Sequence, residues 1–572
     1  MTVHNWGFTP GSADWTARLW APEAQSVKLV CQQGLIDMQR EPDGYWVLDT
    51  KAEAGMVYGF SVDGLEVPDP ASRLQAGDVH GRSVAVDHGA FAWQCDWRGR
   101  DWAEAVIYEM HVGTFTPEGT FSSARVKLEM LAELGFTAIE IMPVGQFPGD
   151  RGWGYDGVLP FAPHPAYGTP DDLKRLVDHA HSLGLMVMLD VVMNHFGPDG
   201  AYLHATAPEF FDKDRHTPWG AAIDFSRQPV RDFWIECALM WIVDYRFDGL
   251  RLDAVHQITG PKAETFFAEL AERTRAADPG RQIHLVVEDE SNDPELREAF
   301  GYDATWNDDF HHAVHTALTG EDHSYYKSFA HDPIGDLALA LERGHIEEGQ
   351  PRPGRDTPRG KASGHLPTTG FVNSTQTHDQ VGNRANGDRL LSLADPAGVA
   401  VAYALNLVAP YIPMVFMGEE RGETAPFLFF ADYEGQLAES VRTGRAQEFA
   451  EIASMGADVP DPLSPETFAR SRIDWSDTDH ARFWQNLTRD ALDFRANHLV
   501  PMLKAGAEAD GQVTVAGERA LAASWTFGAG VLRIALNFGT VGAFCTPLGE
   551  PGFRLGDIER DAYALHARID RS

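Results

Sequence analysis

LMVMLDVV, residues 185–192, decides the architecture. The run is apolar at every position except Asp190. It is short, bounded by Gly184, and reads as a strand buried on both faces, as in a parallel sheet. Before it lies PDDLKRLVDHAHSLG (170–184), an amphipathic stretch that ends at Gly184 in the manner of a helix C-cap. A helix followed by a buried strand is one unit of an α/β fold. Working outward, seven more short apolar runs share this texture: AVIYEMHV (105–112), TAIEIMPV (137–144), FDGLRLD (247–253), IHLVVED (283–289), ATWN (304–307), FVNSTQTHD (371–379) and YIPMVFMG (411–418). Eight such strands, alternating with helical stretches, predict a (β/α)8 TIM barrel over residues 99–480.

The flanks read differently. Residues 1–98 carry short alternating runs between Gly, Pro and Asp clusters: ARLWAP (17–22), SVKLVCQ (26–32), YWVLDT (45–50) and VYGFSVDG (57–64). They predict a small N-terminal β-sandwich of immunoglobulin-like, carbohydrate-binding type. A polar stretch, VPDPASRLQAGDVHGRS (67–83), leads onward. Residues 481–572 return to β character in VTVAGERALAASWTF (513–527) and GVLRIALNFG (530–539), which predicts a C-terminal antiparallel β domain.

Composition narrows the partners. The 572 residues include 84 acidic and 47 basic side chains, a formal net charge of −37. Nucleic acid and anionic membranes need a basic face, so neither is expected as a partner. Cys31, Cys95, Cys237 and Cys545 stand singly, as buried reduced thiols of a cytosolic protein do, and not as a metal site or disulfide framework. The first residues show no export signal, so a cytoplasmic location is expected. The apolar run Val399–Gly418 contains Asn406, Pro410 and Pro413, and reads as a barrel helix and its following strand, not a membrane span.

Active sites of such barrels lie at the C-terminal ends of the strands. Here the strand ends carry Asp190, Asp253, Glu288 and Asp379, with His195 and His378 close by. A lone Asp after a strand reads as a helix N-cap. Four acids on four strands point instead to chemistry. Glycoside hydrolysis needs one carboxyl group on each side of the anomeric carbon, and a barrel mouth supplies both walls.

DVVMNH (190–195), GLRLDAVH (249–256), VVED (286–289) and THDQVGNR (377–384) resemble, in order and spacing, the four short motifs of the α-amylase family. YEMHVGTF (108–115), GWGYD (152–156) and PAYGTPDDLK (165–174) add to the match. The resemblance spans the whole barrel. It implies that Asp253 is the nucleophile, Glu288 the general acid/base that is protonated near neutral pH, and Asp379 the third catalytic carboxylate. It further implies that Arg251 orients Asp253, that His195 and His378 bond sugar hydroxyls, and that Tyr155 is an aromatic platform. Asn194 and Asp190 are similar to calcium-linked residues of some members. No cluster of oxygen donors accompanies them here, so neither a metal nor any other cofactor is expected, and Asp190 reads as an internal structural acid.

Within the family, VVEDESNDPEL (286–296), WNDDFHHAVHTALTGE (306–321), HDQVGNRANGDRL (378–390) and the run 418–449 are most similar to the members that release trehalose from malto-oligosyltrehalose. The implied partner is that substrate or a related α-glucan. His256, Asp308, Asp309 and Trp219 are candidates for holding the 1,1-linked disaccharide, a simple packing role being the alternative for Trp219. Glycogen branching enzymes, other α-1,4-glucan hydrolases and transglycosylases share the catalytic residues and form the alternative. A non-catalytic glucan-binding protein would be expected to lack one of the acids. Thr377 stands where the family more often has Asn, and Glu420-Arg421 replaces the more usual Glu-Trp.

Overall fold

A computed structural model describes residues 5–449, 459–505, 510–539, 541 and 552–571. Its centre is a closed barrel of eight parallel strands. They are β1 (Ile107–Met110), β2 (Ala138–Ile141), β3 (Met186–Val191), β4 (Gly249–Leu252), β5 (His284–Val287), β6 (Ala304–Trp306), β7 (Phe371–Ser374) and β8 (Ile412–Phe416). Each falls inside one of the eight runs read from the sequence. β8 pairs back onto β1, with Ile107 opposite Met414. The run 399–418 is the barrel helix Pro396–Val408 followed by β8. No helix among the described residues is long and apolar enough to cross a membrane.

Side chains alternate along a strand, so every second residue enters the barrel lumen. At the N-terminal end those positions are apolar, and Ile107, Ala138, Met186, Met188, Val286 and Met414 pack together there. Two residues further on, the same faces of β1, β2 and β3 carry Glu109, Glu140 and Asp190, and β4 carries Arg251. The change from oil to charge along one lumen is what sets the chemistry at the upper rim.

The N-terminal region forms two antiparallel sheets. One joins Gly7–Pro10, Trp15–Trp20, Gln39–Arg40 and Tyr45–Thr50; the other contains Val27–Cys31, Gly34–Asp37, Val57–Val62 and Leu65–Val67. Trp6 anchors this region to the barrel, packing edge-on against Phe233 and Phe210 and donating its indole N–H to Pro229 O at 3.0 Å.

The C-terminal sheet of five strands begins only at Asp510. Helix Asp479–Phe494 starts at the boundary expected near 480 but packs against the barrel, where Thr488 Oγ1 meets Tyr403 Oη at 2.9 Å. Arg495 continues that docking, with Nη1 to Ala409 O at 2.7 Å and Nη2 to Tyr411 O at 2.6 Å. The helices up to residue 504 therefore sit with the barrel. Cys31 and Cys237 are buried free thiols, whereas the free thiol of Cys95 is partly exposed, which corrects its expected burial. Cys545 lies outside the described residues.

Candidate active site

The site is assembled around Arg251, fully buried and stacked over Trp306 with its guanidinium carbon 4.0 Å from the ring centroid. Its Nη1 donates to Asp190 Oδ1 and Oδ2, each at 2.9 Å, and to Asp253 Oδ1 at 2.9 Å. Its Nη2 lies 2.9 Å from Glu288 Oε2. One cation thus joins the ends of β3, β4 and β5. Asp253 follows β4 and is positioned by its backbone N–H, which donates to Val191 O at 3.1 Å. Its second oxygen accepts from Asn194 Nδ2 at 2.8 Å. Between the two acids the chain turns through Ala254 in the left-handed region, φ 42°, an unfavourable conformation for a residue with a Cβ. That turn aims the Ala254 N–H at Glu288 Oε2, 2.9 Å away.

The opposite wall comes from β1 and β7. His378 is buried, its Nδ1 bonded to Glu109 Oε1 and its Nε2 3.5 Å from Asp379 Oδ1. Burial alone would lower its pKa, but the charges of Asp379 and Glu109 outweigh that and raise it to about 9. The ring is therefore an imidazolium at neutral pH. Tyr155 stacks on it at 5.0 Å and donates to Asp190 Oδ2 at 2.6 Å. Burial pushes Asp190 up to about 7 against the pull of Arg251. Tyr155 reaches this place through the turn at Gly154, φ 102°, where a Cβ would stand 2.0 Å from Pro143 O.

Asp379 opens a short helix, His378–Gly382, capped by Thr377, whose Oγ1 accepts the Asp379 N–H at 3.2 Å. Thr and Asn both cap helices, so the departure at 377 preserves the local structure. The second departure is also structural: Glu420 Oε2 accepts from Tyr108 Oη at 3.0 Å, and Arg421 lies over Trp475 at 4.7 Å.

His195 stacks on Trp219 at 4.4 Å, and its ring nitrogens reach Asn194 Oδ1 at 2.5 Å and Tyr155 O at 3.0 Å. Burial lowers its pKa to about 4. A neutral ring carries one N–H and can donate to only one of these two carbonyl oxygens. Trp219 is 48% exposed, an indole face held on the short hairpin Phe211–Ile223. His256 stands beside the loop after Glu288, where Glu290 N–H donates to its Nδ1 at 3.3 Å.

Asp308 and Asp309 part company. Asp308 is half-buried, accepts from Gln380 Nε2 at 3.1 Å, and is pushed up to about 7 by burial and by the charges of Glu288 and Asp379. It belongs to the mouth. Asp309 is fully buried, with Oδ2 taking Asn292 Nδ2 at 2.9 Å and the Ile346 and Glu347 N–H groups at 2.8 Å each, and with Oδ1 on Arg359. With no exposed surface and four protein donors around it, Asp309 is out of reach of a sugar hydroxyl and is a structural acid, not a substrate-binding residue. The two acids are neighbours on one helix, about 100° apart around its axis, and only one can face the mouth. Two residues escaped the sequence reading as parts of the site. Glu109 had one signal, an acid inside an apolar strand; Asn194, next to His195, had been weighed only as a calcium-linked residue.

Comparison with known proteins places this arrangement. The family model "Alpha amylase, catalytic domain" matches residues 98–219. A malto-oligosyltrehalose trehalohydrolase of Deinococcus radiodurans is 39% identical over 548 residues, covering 92% of this chain and 90% of that one. One of Mycobacterium tuberculosis is 40% identical over 502 residues, covering 84% and 86%. The chain belongs to the malto-oligosyltrehalose trehalohydrolase family. These trehalohydrolases are glycoside hydrolases of the α-amylase type, and the present chain is an enzyme of that kind. A Salmonella typhimurium crystal structure, solved under the description alpha amylase, superposes with a TM-score of 0.95 at 46% identity, covering 99% of this chain and 100% of the other.

Proposed function

We propose that this chain hydrolyses the α-1,4 bond next to the terminal trehalose of malto-oligosyltrehalose. The observation that carries the reading is the pair Asp253 and Glu288, on adjacent strand ends and bridged by the single guanidinium of Arg251. A retaining glycosidase holds its two carboxyl groups about 5–5.5 Å apart, and a shared guanidinium supports a separation of that order.

In the first step Asp253 attacks the anomeric carbon while Glu288 gives its proton to the glycosidic oxygen. The bond to the leaving sugar breaks and trehalose departs as the free disaccharide. The remaining glucan is held as an ester of Asp253. Water then gives a proton to Glu288 and attacks the same carbon, which returns both side chains to their starting states and releases the malto-oligosaccharide. Asp379 and the imidazolium of His378 bond the hydroxyls of the reacting ring and favour its flattened, positively charged form. Arg251 and Asn194 hold the Asp253 carboxylate in place. Trp219, His256 and Asp308 are the candidates for holding the trehalose unit. The unpaired thiols Cys31, Cys95 and Cys237 suit a reducing cytoplasm.

Incubation with maltotriosyl trehalose, with products separated by chromatography, tests this. Trehalose and maltotriose are expected, formed far faster than maltopentaose is cleaved. Polar groups left unpaired by an ordinary reducing end cost about 1–3 kcal/mol each, so two or three give a preference of roughly a hundredfold. Equal rates on the two substrates, or transfer of the chain to a new α-1,6 position, would reject the reading.

A further inference from the structure

The chemistry above leaves Arg421 unused, and its stacking on Trp475 accounts for only part of its guanidinium. The residue closes the turn Glu419–Arg421 that follows β8 and is 6% exposed. Its Nη2 donates to Ser476 O at 2.7 Å, while Nε and Nη1 have no acceptor among the described residues. A second cation stands on the same ring. The Lys127 Nζ lies 4.3 Å from the Trp475 centroid, and it too has no acceptor among the described residues. The indole itself is fixed, its Nε1 donating to Phe115 O at 2.7 Å and its ring packed edge to face on Phe115.

Two cations on one indole repel each other. Burial, and then the charge of Arg421, lower the pKa of Lys127 below its ordinary value. In a chain with 84 acidic and 47 basic side chains a carboxylate partner is easily supplied. Yet among the described residues neither cation has a carboxylate oxygen within 4.0 Å. Glu118 acts on Lys127, and Glu420 and Asp474 on Arg421, only from farther away. Both cations line a pocket of about 420 Å3, within the roughly 300–1,000 Å3 of small-ligand sites. Gln485 Nε2 reaches Met130 Sδ at 3.8 Å along one wall, which joins the helices Leu128–Leu134 and Asp479–Phe494. Glu129 and Glu133, exposed and one turn apart on the first of these helices, also line it. Its third acid, Asp477, is paired with Arg482 at 2.5 Å.

We propose that this pocket binds a small phosphate monoester, its phosphoryl group between Lys127 and Arg421 and its hydroxylated body toward Glu129 and Glu133. A phosphoryl group offers several acceptor oxygens to the unused edge of the guanidinium and to the ammonium, and its charge removes the repulsion between them. The two exposed carboxylates accept from sugar hydroxyls and repel further negative charge, which favours a single phosphoryl group over a polyanion. The pocket shares no lining residue with the mouth, so the proposal stands apart from the reading of the catalytic site.

Calorimetric titration of the whole protein at low ionic strength with glucose 6-phosphate, orthophosphate and glucose tests it. Glucose 6-phosphate should bind more tightly than orthophosphate, and glucose should not bind. Arg421→Trp, which supplies the residue more usual in the family, and Lys127→Gln should each weaken glucose 6-phosphate roughly tenfold or more, as loss of a charged hydrogen bond does. Lys127→Arg keeps the charge and should stay close to the parent. Lys127→Gln removes a repelled charge, so its melting temperature without ligand should equal or exceed the parent's, which separates loss of binding from loss of fold. Absence of binding by either phosphate compound overturns the proposal. So does glucose binding as tightly as its phosphate, or orthophosphate binding the tighter of the two. Parent-like affinity in both Arg421→Trp and Lys127→Gln would place the anion elsewhere and overturn it as well.

Discussion

Arg251 is the residue at which one substitution should do most damage. Its guanidinium meets three carboxylates, and lysine, a single point charge, cannot span them. Leaving buried carboxylates uncompensated costs about 3–5 kcal/mol, so Arg251→Lys should lower stability by that order in urea unfolding and cut kcat at least a hundredfold. Asp253→Asn and Glu288→Gln are nearly isosteric and should each cost at least a thousandfold in kcat, about 4 kcal/mol of barrier, with unchanged melting. Activity within tenfold of the parent would reassign the residue. His378 offers a test by pH. Its folded pKa is raised to about 9, so its contribution to stability is complete below its ordinary value of 6.5 and is lost as pH rises through 9. A loss on the order of 3 kcal/mol is expected over that window. Glu109→Gln removes one of the charges that raise it and should flatten the slope; unaltered slopes in urea unfolding from pH 6 to 10 would contradict this.

At the scale of elements, the cap of the helix that carries Asp379 can be removed without touching an acid. Thr377→Ala should cost about 1 kcal/mol of stability and raise KM as Asp379 loses its anchor, whereas Thr377→Asn should restore both. An alanine variant with unchanged KM would separate the cap from the site. The strands themselves were legible because each is buried on both faces, so β8 reads as an unbroken apolar run and β3 as one interrupted only by Asp190. The acids at their ends were legible for the converse reason, since an apolar strand gains nothing from a terminal carboxylate. What sequence could not give was the angle of a side chain about a helix. Asp308 and Asp309 look alike in WNDDFHH, and only the packing of Asn292, Arg359 and the 346–347 backbone separates them. The packing partner of the helix near the expected boundary was hidden for a similar reason. Helix Asp479–Phe494 is amphipathic wherever it packs, and its sequence does not say against which partner.

Across the whole molecule a single apolar cluster runs from Trp6 in the sandwich through the barrel helices to Leu565 in the last sheet. Trp525 of that sheet donates to Leu341 O of a barrel helix at 3.1 Å. Multidomain chains often unfold in steps, but with one cluster that spans all three regions of the described residues a single calorimetric transition is expected here; two or three resolved peaks would mean that the regions hold together independently. The same continuity places a delay in biosynthesis. Asn5 and Trp6 close onto Glu236 and Pro229, more than 220 residues later in the chain. At about 5–20 residues per second a ribosome needs roughly ten to fifty seconds to deliver those partners. Through that interval the indole of Trp6 has only Trp20 and Tyr45 of its own region to pack on, and the nascent sandwich is open to chaperones and proteases. Pulse proteolysis of stalled nascent chains should find it cleavable until the helix Gln228–Leu239 has cleared the exit tunnel, and resistant afterwards.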